Sequence, residues 1–442
     1  MRVVFMPNDL RTIASQLFHQ TLRAIDVAAV VRQNLSLEGN QLRIADESLA
    51  LNEFKRIVVI ALGKASVPMA RAAEEALGER LTDGLVVTNA VLGAPPRRMP
   101  CVFGSHPLPN RGSVTAAETA LRLLRENDAA DTLVIFLISG GGSAMFEKPI
   151  DARLTLADLQ AVNRVLVNCG AVIGEMNVVR RYLSAVKGGR LAAAAQHVRQ
   201  VSLYISDVNA DDLSTVSSGP TLASAIPRTA FEKIVARYDL RNQFPAHVAA
   251  LLNELPDLPQ PTATSRATHH LLLDNRRALQ AMKQFAENQF NAIVEIAEDL
   301  VEGEVQATAQ LHLERLAALR HRHPGRLVAL LSGGEVICPV RGDGQGGRNQ
   351  EFVLRAAQLL NAAHETNVVV LSAGTDGIDG HSPANGAVAD AMTIQRGLNA
   401  GMNAADFLQR SDSFTFLHKL GATIITGPTG NNVRDIRLWL AN

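Results

Sequence analysis

The chain has 442 residues, which is too long for one ordinary domain, so we expect two or three. Its 47% hydrophobic and 19% charged residues are typical of a globular protein and exclude a disordered chain. The 43 basic and 43 acidic side chains cancel, which argues against a general nucleic-acid or anionic-membrane surface. Any anion must therefore be bound at a local site.

The three cysteines (Cys101, Cys169 and Cys338) lie far apart, and none belongs to a CxxC pair. They predict neither a disulfide framework nor a zinc site. The apolar run at residues 3–6 is too short for a signal peptide, and no stretch is long enough to span a membrane. We therefore expect a cytoplasmic protein.

In the first half, apolar runs alternate with segments of helical periodicity, and Asn8 or Asp9 would cap the first helix. The predicted helices cover residues 8–33, 68–77 and 113–125. The predicted strands cover residues 57–62, 84–88, 133–138 and 203–205. This alternation predicts an α/β fold with a Rossmann-like doubly wound sheet, whose ligands bind at the carboxyl ends of the strands.

A proline-rich stretch at residues 256–268 predicts the boundary between a domain at 1–257 and a smaller α/β domain at 266–442. The second half repeats the alternation of the first. Its predicted strands cover residues 271–273, 292–296, 327–331, 336–341, 368–373 and 423–425. Its predicted helices cover residues 276–288 and 303–320, begin again at residue 348, and include a short terminal helix.

The glycine loop at residues 342–347 leads into the helix that begins at Arg348. Glycines let backbone N–H groups approach an anion, and Arg348 can grip a carboxylate or phosphate with two parallel hydrogen bonds. The alternative is a plain glycine-rich loop with an exposed arginine. Gly342, Gly344 and Gly347 also match a dinucleotide fingerprint, but the acidic residue expected about 20 positions later is absent.

A second glycine loop, Ser139-Gly140-Gly141-Gly142-Ser143, follows the apolar run at 133–138 and can surround an anion with N–H groups. Lys64 also follows a buried strand and can serve a phosphate as a point charge. The Walker A pattern fails there, because Val58 and Ala65 stand at two required positions. The alternatives are an ordinary turn and a solvated lysine. His106 is either a ligand contact or a structural loop histidine.

Carboxylates follow two predicted strands, where they can hold Mg²⁺ together with substrate phosphates. Asp207 and Asp376 lie closest to the strand ends and are the better candidates. An Asx turn or a helix cap is an equally good interpretation of Asp211, Asp212 and Asp379.

Short motifs recur in a fixed order from Ile57 onward and together resemble the type II glycerate kinases, which are glycerate 2-kinases with a C-terminal MOFRL domain. In the first half they are Ala61–Ser66, Ser105–Pro109, Ile138–Ala144, Asn177 with Arg180 and Leu183-Ser184, Lys187–Arg190, Ser206–Val208 and Ser218–Thr221. In the second half they are Ser332–Glu335, Gly346–Glu351, Gly374–Gly380 and Thr426–Asp435. One position departs from the family pattern, because Ala210 stands where the family has glycine.

The resemblance implies two α/β domains with the active site in the cleft between them. It also implies ATP- and Mg²⁺-dependent phosphorylation of D-glycerate at the 2-hydroxyl, with Lys64 and Arg348 as the charged residues closest to the chemistry. Some relatives are labelled hydroxypyruvate reductase. That activity would need a nicotinamide site, and the only sequence feature that indicates one is the weak fingerprint at Gly342, Gly344 and Gly347.

On this basis we predict that the loop Ser139–Ser143 cradles the phosphates of ATP, with Mg²⁺ at Asp207 and Asp376. Lys64 and Arg348 would neutralise the transferred group or hold the glycerate carboxylate. Asp207 is the candidate base. Further predicted nucleotide-binding residues are Lys187, Glu335 and Asn349; Lys187 and Arg190 could instead cap a helix.

Two other classes stay open: a nicotinamide-dependent hydroxypyruvate or tartronate-semialdehyde reductase, and a non-catalytic sensor. A sensor would not need converging Lys, Arg and Asp side chains. We expect small-molecule partners only, with no nucleic acid and no membrane, and a homodimer is one candidate assembly.

Overall fold

The computed structural model describes residues 9–90, 93–208, 212–223, 226–260 and 266–442. It divides into two compact units, each with its own six-stranded sheet. Val27–Leu272 form what we call the central unit, and residues 9–26 with Leu273–Asn442 form the terminal unit. No helix in the described ranges is long and apolar enough to cross a membrane.

The helices of the described residues are α1 (Leu10–Ala24), α2 (Val27–Asn34), α3 (Ser66–Leu77), α4 (Arg111–Glu126), α5 (Gly142–Met145), α6 (Leu156–Asn168), α7 (Ile173–Leu183), α8 (Arg190–Ala193), α9 (Arg228–Arg237), α10 (Leu240–Gln243), α11 (Ala246–Leu251), α12 (Asn275–Phe290), α13 (Val305–Arg322), α14 (Arg348–Ala362), α15 (Met392–Asn399), α16 (Ala404–Gln409) and α17 (Ser413–Lys419). Short 3₁₀ helices cover Leu51–Glu53, Gly78–Arg80 and Leu213–Ser218.

The strands are β1 (Leu35–Glu38), β2 (Gln41–Ile44), β3 (Glu47–Ala50), β4 (Arg56–Leu62), β5 (Asp83–Thr88), β6 (Cys101–Phe103), β7 (Thr132–Ser139), β8 (Arg199–Ile205), β9 (Ala267–Leu273), β10 (Ile293–Ile296), β11 (Val328–Ser332), β12 (Val368–Gly374), β13 (Gly386–Asp390), β14 (Thr423–Ile424) and β15 (Asp435–Ala441).

The sheet of the central unit has the strand order β6-β5-β4-β7-β8-β9. The pairs β5–β6, β4–β5, β4–β7 and β7–β8 are parallel. Strand β7 is buried along its whole length, as expected for a strand covered on both faces. Numbered from β4, the order is 3-2-1-4-5-6, so the chain reverses its direction of growth between β4 and β7. The predicted doubly wound α/β fold is confirmed, and ligands of such sheets bind at this switch point.

The sheet of the terminal unit is mixed, with the order β10-β11-β15-β12-β13-β14. Strands β10 and β11 pair in parallel, whereas β15 is antiparallel to both of its neighbours, β11 and β12. The predicted smaller α/β domain is confirmed, but its alternating strands and helices do not form a second parallel, doubly wound sheet. The reason is that the last strand inserts into the middle of the sheet and separates β11 from β12.

The predicted short terminal helix is also wrong, because residues 435–441 form the fully buried strand β15. Ile436, Leu438 and Leu440 alternate with Asp435, Arg437 and Trp439, and this period of two is that of a strand. The charges of Asp435 and Arg437 are buried in ion-pair and hydrogen-bond networks.

Three other predicted elements differ in detail. The strand predicted at 336–341 is absent; only Ile337 forms an isolated bridge, and Val340 is 80% exposed. The helix predicted at 8–33 is two helices, α1 and α2. Asp9 caps α1 by accepting a hydrogen bond from the Arg11 N–H at 3.2 Å, while Asn8 lies outside the described residues.

The compact units differ from the predicted division at 1–257 and 266–442 in two segments. Helix α1 packs against α12 and against β12, β13 and β15, so it belongs to the terminal unit. Strand β9 lies at the edge of the central sheet, beside β8. The small antiparallel sheet β1-β2-β3 of the central unit was not predicted.

Because β15 lies at the centre of a sheet, we expect Leu438→Ala to lower the free energy of unfolding by about 2–5 kcal/mol. Leu438 is fully buried. Trp439, the only tryptophan of the chain, lies in the same strand, so its fluorescence during urea titration reports unfolding of the terminal unit.

The matched control is Val340→Ala at an exposed position, which should change the free energy of unfolding by no more than about 0.5 kcal/mol. Equal effects of the two substitutions would contradict the central position of β15.

Candidate active site

The loops that follow β4 and β7 are locked together at the switch point of the central sheet. The Lys64 N–H donates a hydrogen bond to the Gly140 carbonyl oxygen at 2.9 Å, and the Ala65 N–H donates to Ser139 Oγ at 3.0 Å. A Cβ atom at Gly63 would overlap the main chain of Ser139. Glycine at position 63, which has a φ of +110°, is therefore required for this close approach.

The glycine loop Ser139–Ser143 collects side chains from other segments of the central unit. At each of its three glycines, a neighbouring side chain approaches the place where a Cβ atom would lie. These side chains are Asp207 at Gly140, Lys64 at Gly141 and Ser217 at Gly142. The predicted residues Lys64, Ser139–Ser143 and Asp207 thus lie together.

The same loop presents backbone donors. The N–H groups of Gly141, Gly142 and Ser143 have no hydrogen-bond acceptor in the part of the chain that the structure describes. They stand at the start of α5, where unpaired N–H groups favour an anion. Ser143 Oγ lies 2.8 Å from Ser218 Oγ, which ties the loop to the segment after β8.

A pocket of about 260 Å³ adjoins the glycine loop within the central unit. Its lining includes Gly141, Ser143, Asp207, His106, Asn177 and Arg180. Burial, together with the positive charge of Lys64, lowers the pKa of His106, which keeps its imidazole neutral at pH 7. Small size and polar walls suit a small polar ligand.

Lys187, predicted to bind the nucleotide, lies behind this pocket in a buried ion pair. Its Nζ donates to Glu147, which also accepts a 2.5 Å hydrogen bond from Ser184 Oγ and itself lines the pocket. Burial lowers the pKa of Lys187, and Glu147 opposes that effect. Arg190, the other cation of this run, donates to the carbonyl oxygen of Arg181 at 2.5 Å, as a helix-capping residue would.

In the terminal unit, Arg348 opens α14 and binds two carboxylates of the protein itself. Its Nε and Nη2 donate to Asp435 at 2.5 and 3.1 Å, and Nη2 lies 3.0 Å from Glu335. Burial lowers the pKa of Arg348, but these two carboxylates outweigh burial and raise it overall. The bidentate grip predicted for a ligand is therefore made here with Asp435.

The N-terminus of α14 likewise holds a carboxylate of the chain. Asp379 accepts hydrogen bonds from the backbone N–H groups of Asn349 at 3.1 Å and Gln350 at 2.9 Å. Asn349, a predicted nucleotide-binding residue, is buried, and its Oδ1 accepts from Ser372 Oγ at 2.5 Å. The helix-cap alternative for Asp379 is the one that the structure supports.

Asp376, a predicted Mg²⁺ ligand, is half-buried. Its Oδ1 accepts a hydrogen bond from the Ile378 N–H at 3.1 Å, which forms an Asx turn. It belongs to the terminal unit, whereas Asp207 belongs to the central unit. Within the described ranges, no group of three or more His, Cys, Asp or Glu side chains could hold a metal ion. Mg²⁺ needs only one or two carboxylates when phosphates and waters complete its shell, so a single aspartate fits it. Asp211 and Ala210 lie outside the described residues.

The glycine loop at 342–347 packs against the segment that follows α16. The Gly344 N–H donates to the Arg410 carbonyl oxygen at 3.0 Å, and the Gln345 N–H donates to Asp412 at 3.0 Å. Its glycines therefore serve close backbone packing, as in the plain-loop alternative. No strand precedes Gly342 directly, so the dinucleotide fingerprint lacks the strand–loop–helix context that it needs.

A buried network supports the turn that carries Glu335. Arg437 is fully buried and donates through Nε to Ser332 Oγ at 2.9 Å and through Nη2 to the Gly333 carbonyl oxygen. His312 Nε2 lies 2.6 Å from Ser332 Oγ. Burial, assisted by Arg437, lowers the pKa of His312 to about 3, so the imidazole is neutral.

Asn177, Arg180 and Asp435 belong to the motifs that carry the family resemblance, but they were not predicted as site residues; neither were Glu147 and Ser217. The spacing of Asn177 and Arg180 was a usable signal, because positions i and i+3 lie on one face of a helix. Asp435 had no such local signal, since its partner Arg348 is far away in sequence.

Burial raises the pKa of Asp379 to about 6, and Asp435 adds to this effect against the hydrogen bonds from Gln350. An acid whose pKa is raised by folding stabilises the fold at low pH, and this stabilisation is lost as pH rises through the folded-state pKa. We expect the stability of the wild type relative to Asp379→Asn to fall by about 2–2.5 kcal/mol between pH 4 and pH 7.

Urea titration followed by Trp439 fluorescence across this pH range measures the difference. At pH 4, the difference in the free energy of unfolding between the two proteins measures the effect of replacing the carboxyl with an amide. The change of this difference with pH measures the titration of Asp379. A difference that is independent of pH would contradict the raised pKa.

Two family models match the chain. Residues 13–253 match a domain of unknown function, DUF4147, and residues 328–435 match the MOFRL family. The first match includes strands β4–β8 of the central sheet, and the second includes strands β11–β14 of the terminal sheet.

Two named relatives cover most of the chain. A D-glycerate 2-kinase of Thermotoga maritima is 32% identical over 441 residues, which is 99% of this chain and 100% of the relative. A protein of Agrobacterium vitis named putative hydroxypyruvate reductase is 37% identical over 394 residues, covering 87% of each sequence.

The fold is also that of a solved relative. The crystal structure of a glycerate kinase from Thermotoga maritima superimposes with a TM-score of 0.84 at 29% identity, covering 98% of this chain and 99% of that one. With matching sequence and matching fold along almost its entire length, the chain belongs to the glycerate kinase family, in which a DUF4147 region precedes a MOFRL region.

Proposed function

We propose that the protein transfers the terminal phosphoryl group of ATP to the 2-hydroxyl of D-glycerate and releases 2-phosphoglycerate. The observation that carries this proposal is the convergence of Lys64, the glycine loop and Asp207 at the switch point of the central sheet, beside a small polar pocket. The names of the relatives, D-glycerate 2-kinase and glycerate kinase, agree with it.

Phosphoryl transfer depends mainly on positioning and on neutralising charge. In the proposed reaction the N–H groups of Gly141, Gly142 and Ser143 bind phosphate oxygens of ATP, and Lys64 adds a positive charge beside them. The loop is held in this conformation by its contacts with the β4 loop and with Ser217. It is therefore organised before any ligand binds, which lowers the cost of binding.

Asp207 would hold Mg²⁺, which neutralises charge on the phosphates when bound. Its carboxylate rests against Gly140 and lines the small pocket, in which we place the hydroxy-acid acceptor. There it is the candidate to accept the proton of the reacting hydroxyl. Asp376 stays a predicted second ligand, and its Asx-turn role does not depend on a metal.

Arg348 would neutralise negative charge on a substrate, as the resemblance implies. Its guanidinium is aimed by Asp435 and Glu335, and its side chain is still about a third exposed. A fork held by a buried carboxylate is rigid, which suits a group that must stabilise charge without reorganising.

We expect Arg348→Ala to lower turnover on the order of 10²-fold or more, because a fixed charge stabiliser is lost. Arg348→Lys should recover only part of this loss, since lysine keeps the charge and lacks the fork that Asp435 holds. Steady-state rates with ATP and D-glycerate measure both.

The matched control is Arg276→Ala, an exposed arginine of the same unit, which should leave turnover within a few-fold of the wild type. If folded Arg348→Ala behaves like this control, Arg348 has no part in the chemistry.

We also expect Gly140→Ala to lower turnover on the order of 10²-fold, because its Cβ would overlap the Asp207 carboxylate and displace it. Gly174→Ala is the control: its Cβ would meet no atom within 4 Å, and alanine favours the helix α7. Similar activity of the two variants would remove Asp207 from the proposed mechanism.

The reductase named among the relatives is not favoured by the geometry. The loop after β4 reads Gly63-Lys64-Ala65-Ser66 and contains no dinucleotide fingerprint. The weak fingerprint at Gly342–Gly347 is packed against the chain itself. The three cysteines are unpaired, which suits the reducing cytoplasm in which we place the reaction.

Phosphorus NMR of the protein with ATP, Mg²⁺ and D-glycerate tests the proposal directly. Growth of a 2-phosphoglycerate resonance matched by loss of ATP is the expected result. A 3-phosphoglycerate resonance would overturn the regiochemistry. Intact ATP, with NADH consumed on hydroxypyruvate, would replace the kinase with the reductase.

A further inference from the structure

The pocket beside the glycine loop contains a cation that is held only by uncharged groups. Arg180, on α7, donates through Nε to Asn163 Oδ1 at 2.8 Å and through Nη1 to Asn177 Oδ1 at 3.4 Å. Among the residues that the structure describes, no carboxylate forms an ion pair with Arg180. Two amide oxygens orient its guanidinium and leave its charge uncompensated.

The carboxylate that acts on Arg180 is already neutralised. Burial lowers the pKa of Arg180, and the charge of Glu147 opposes this effect. Yet Glu147 accepts hydrogen bonds from buried Lys187 and from Ser184. The Glu147–Lys187 pair has no net charge, so this side of the pocket has the net positive charge of Arg180. A cation withdrawn from water is stabilised when an anion binds to it.

The pocket around Arg180 has the size and polarity of a site for a small polyol acid. Its volume of about 260 Å³ is below the range of about 300–1,000 Å³ found for sites of larger ligands. Its other walls supply uncharged hydrogen-bonding groups. They include Asn163, Asn177, Ser143, Thr215 and Ser217. Such groups bind hydroxyls, and the volume suits an acid of a few carbons, with the glycine loop at one wall.

We propose that Arg180 binds the carboxylate of the hydroxy-acid acceptor, with Asn163 and Asn177 as the residues that position its guanidinium. This inference rests on the proposed function, and it separates the two anions of the reaction. The acceptor carboxylate is assigned to Arg180, and the phosphates are assigned to the glycine loop and Lys64. Asp207 lines the same pocket and lies beside both.

The test replaces the charge with a neutral group of similar shape. For Arg180→Gln we expect KM for D-glycerate to rise on the order of 10–150-fold, because hydrogen bonds between charged groups are lost. KM for ATP should change by no more than about two-fold. Calorimetric titration of D-glycerate without ATP should show the same loss of affinity. Arg164→Gln, an exposed arginine on α6, is the matched control and should bind like the wild type.

A second readout isolates the carboxylate. Glyceramide keeps the hydroxyls of glycerate and replaces its carboxylate with an amide. The wild type should prefer glycerate strongly, and Arg180→Gln should lose this preference. Arg180→Lys should restore part of it, because lysine keeps the charge without the planar fork. Circular dichroism checks that Arg180→Gln is folded. If it is not, Arg180→Lys is the test, and its preference for glycerate over glyceramide should be weaker than that of the wild type.

The outcomes of this inference and of the proposed function are distinct. A wild type that phosphorylates glycerate, with an unchanged glycerate KM in Arg180→Gln, overturns the role of Arg180 and leaves the kinase. A change confined to the KM for ATP assigns Arg180 to a phosphate and overturns it too. If no phosphoglycerate forms, the proposed function fails, and calorimetry alone tests the role of Arg180. Glycerate binding by the wild type that is lost in Arg180→Gln then supports this role. Any other calorimetric result overturns it.

Discussion

The candidate site depends on how closely other segments approach three consecutive glycines at the end of β7. Asp207, Lys64 and Ser217 each lie against one of these glycines, in space that any side chain would fill. The β4 loop is bonded to the same backbone, so strands neighbouring in the sheet deliver their loops to one point. The topology makes this meeting possible, because β4 and β7 flank the position where the sheet reverses its direction of growth.

In the terminal unit, one strand has a comparable role for charged groups. Side chains of β15 alternate between two faces, so Asp435 and Arg437 point the same way. Asp435 orients Arg348 at the start of α14, and Arg437 supports the Gly333 turn that leads to Glu335. Both carboxylate partners of Arg348 are thus fixed, directly or indirectly, by the central strand of the sheet.

The parts of the structure that the sequence predicted are those with local signals. Continuous apolar runs predicted β4 and β7, and the glycine loop that ends β7 marked the strand boundary. The parts that were not predicted are contacts between groups distant in sequence. Arg348 and the start of α14 predicted an anion site, and nothing near residue 348 indicates that Asp435 and Asp379 bind there. The predicted terminal helix is wrong, because residues 435–441 form β15.

Helix α1 precedes the central unit in the sequence but packs in the terminal unit. It belongs to the terminal unit, where Leu17 and Phe18 are fully buried, yet every other element of that unit follows Leu272. During translation its apolar face emerges before the central unit, and its partners in the terminal unit emerge after the central unit. The central unit can complete its sheet in the interval. In the nascent chain, the apolar face of α1 therefore stays without its partners until the central unit has been synthesised.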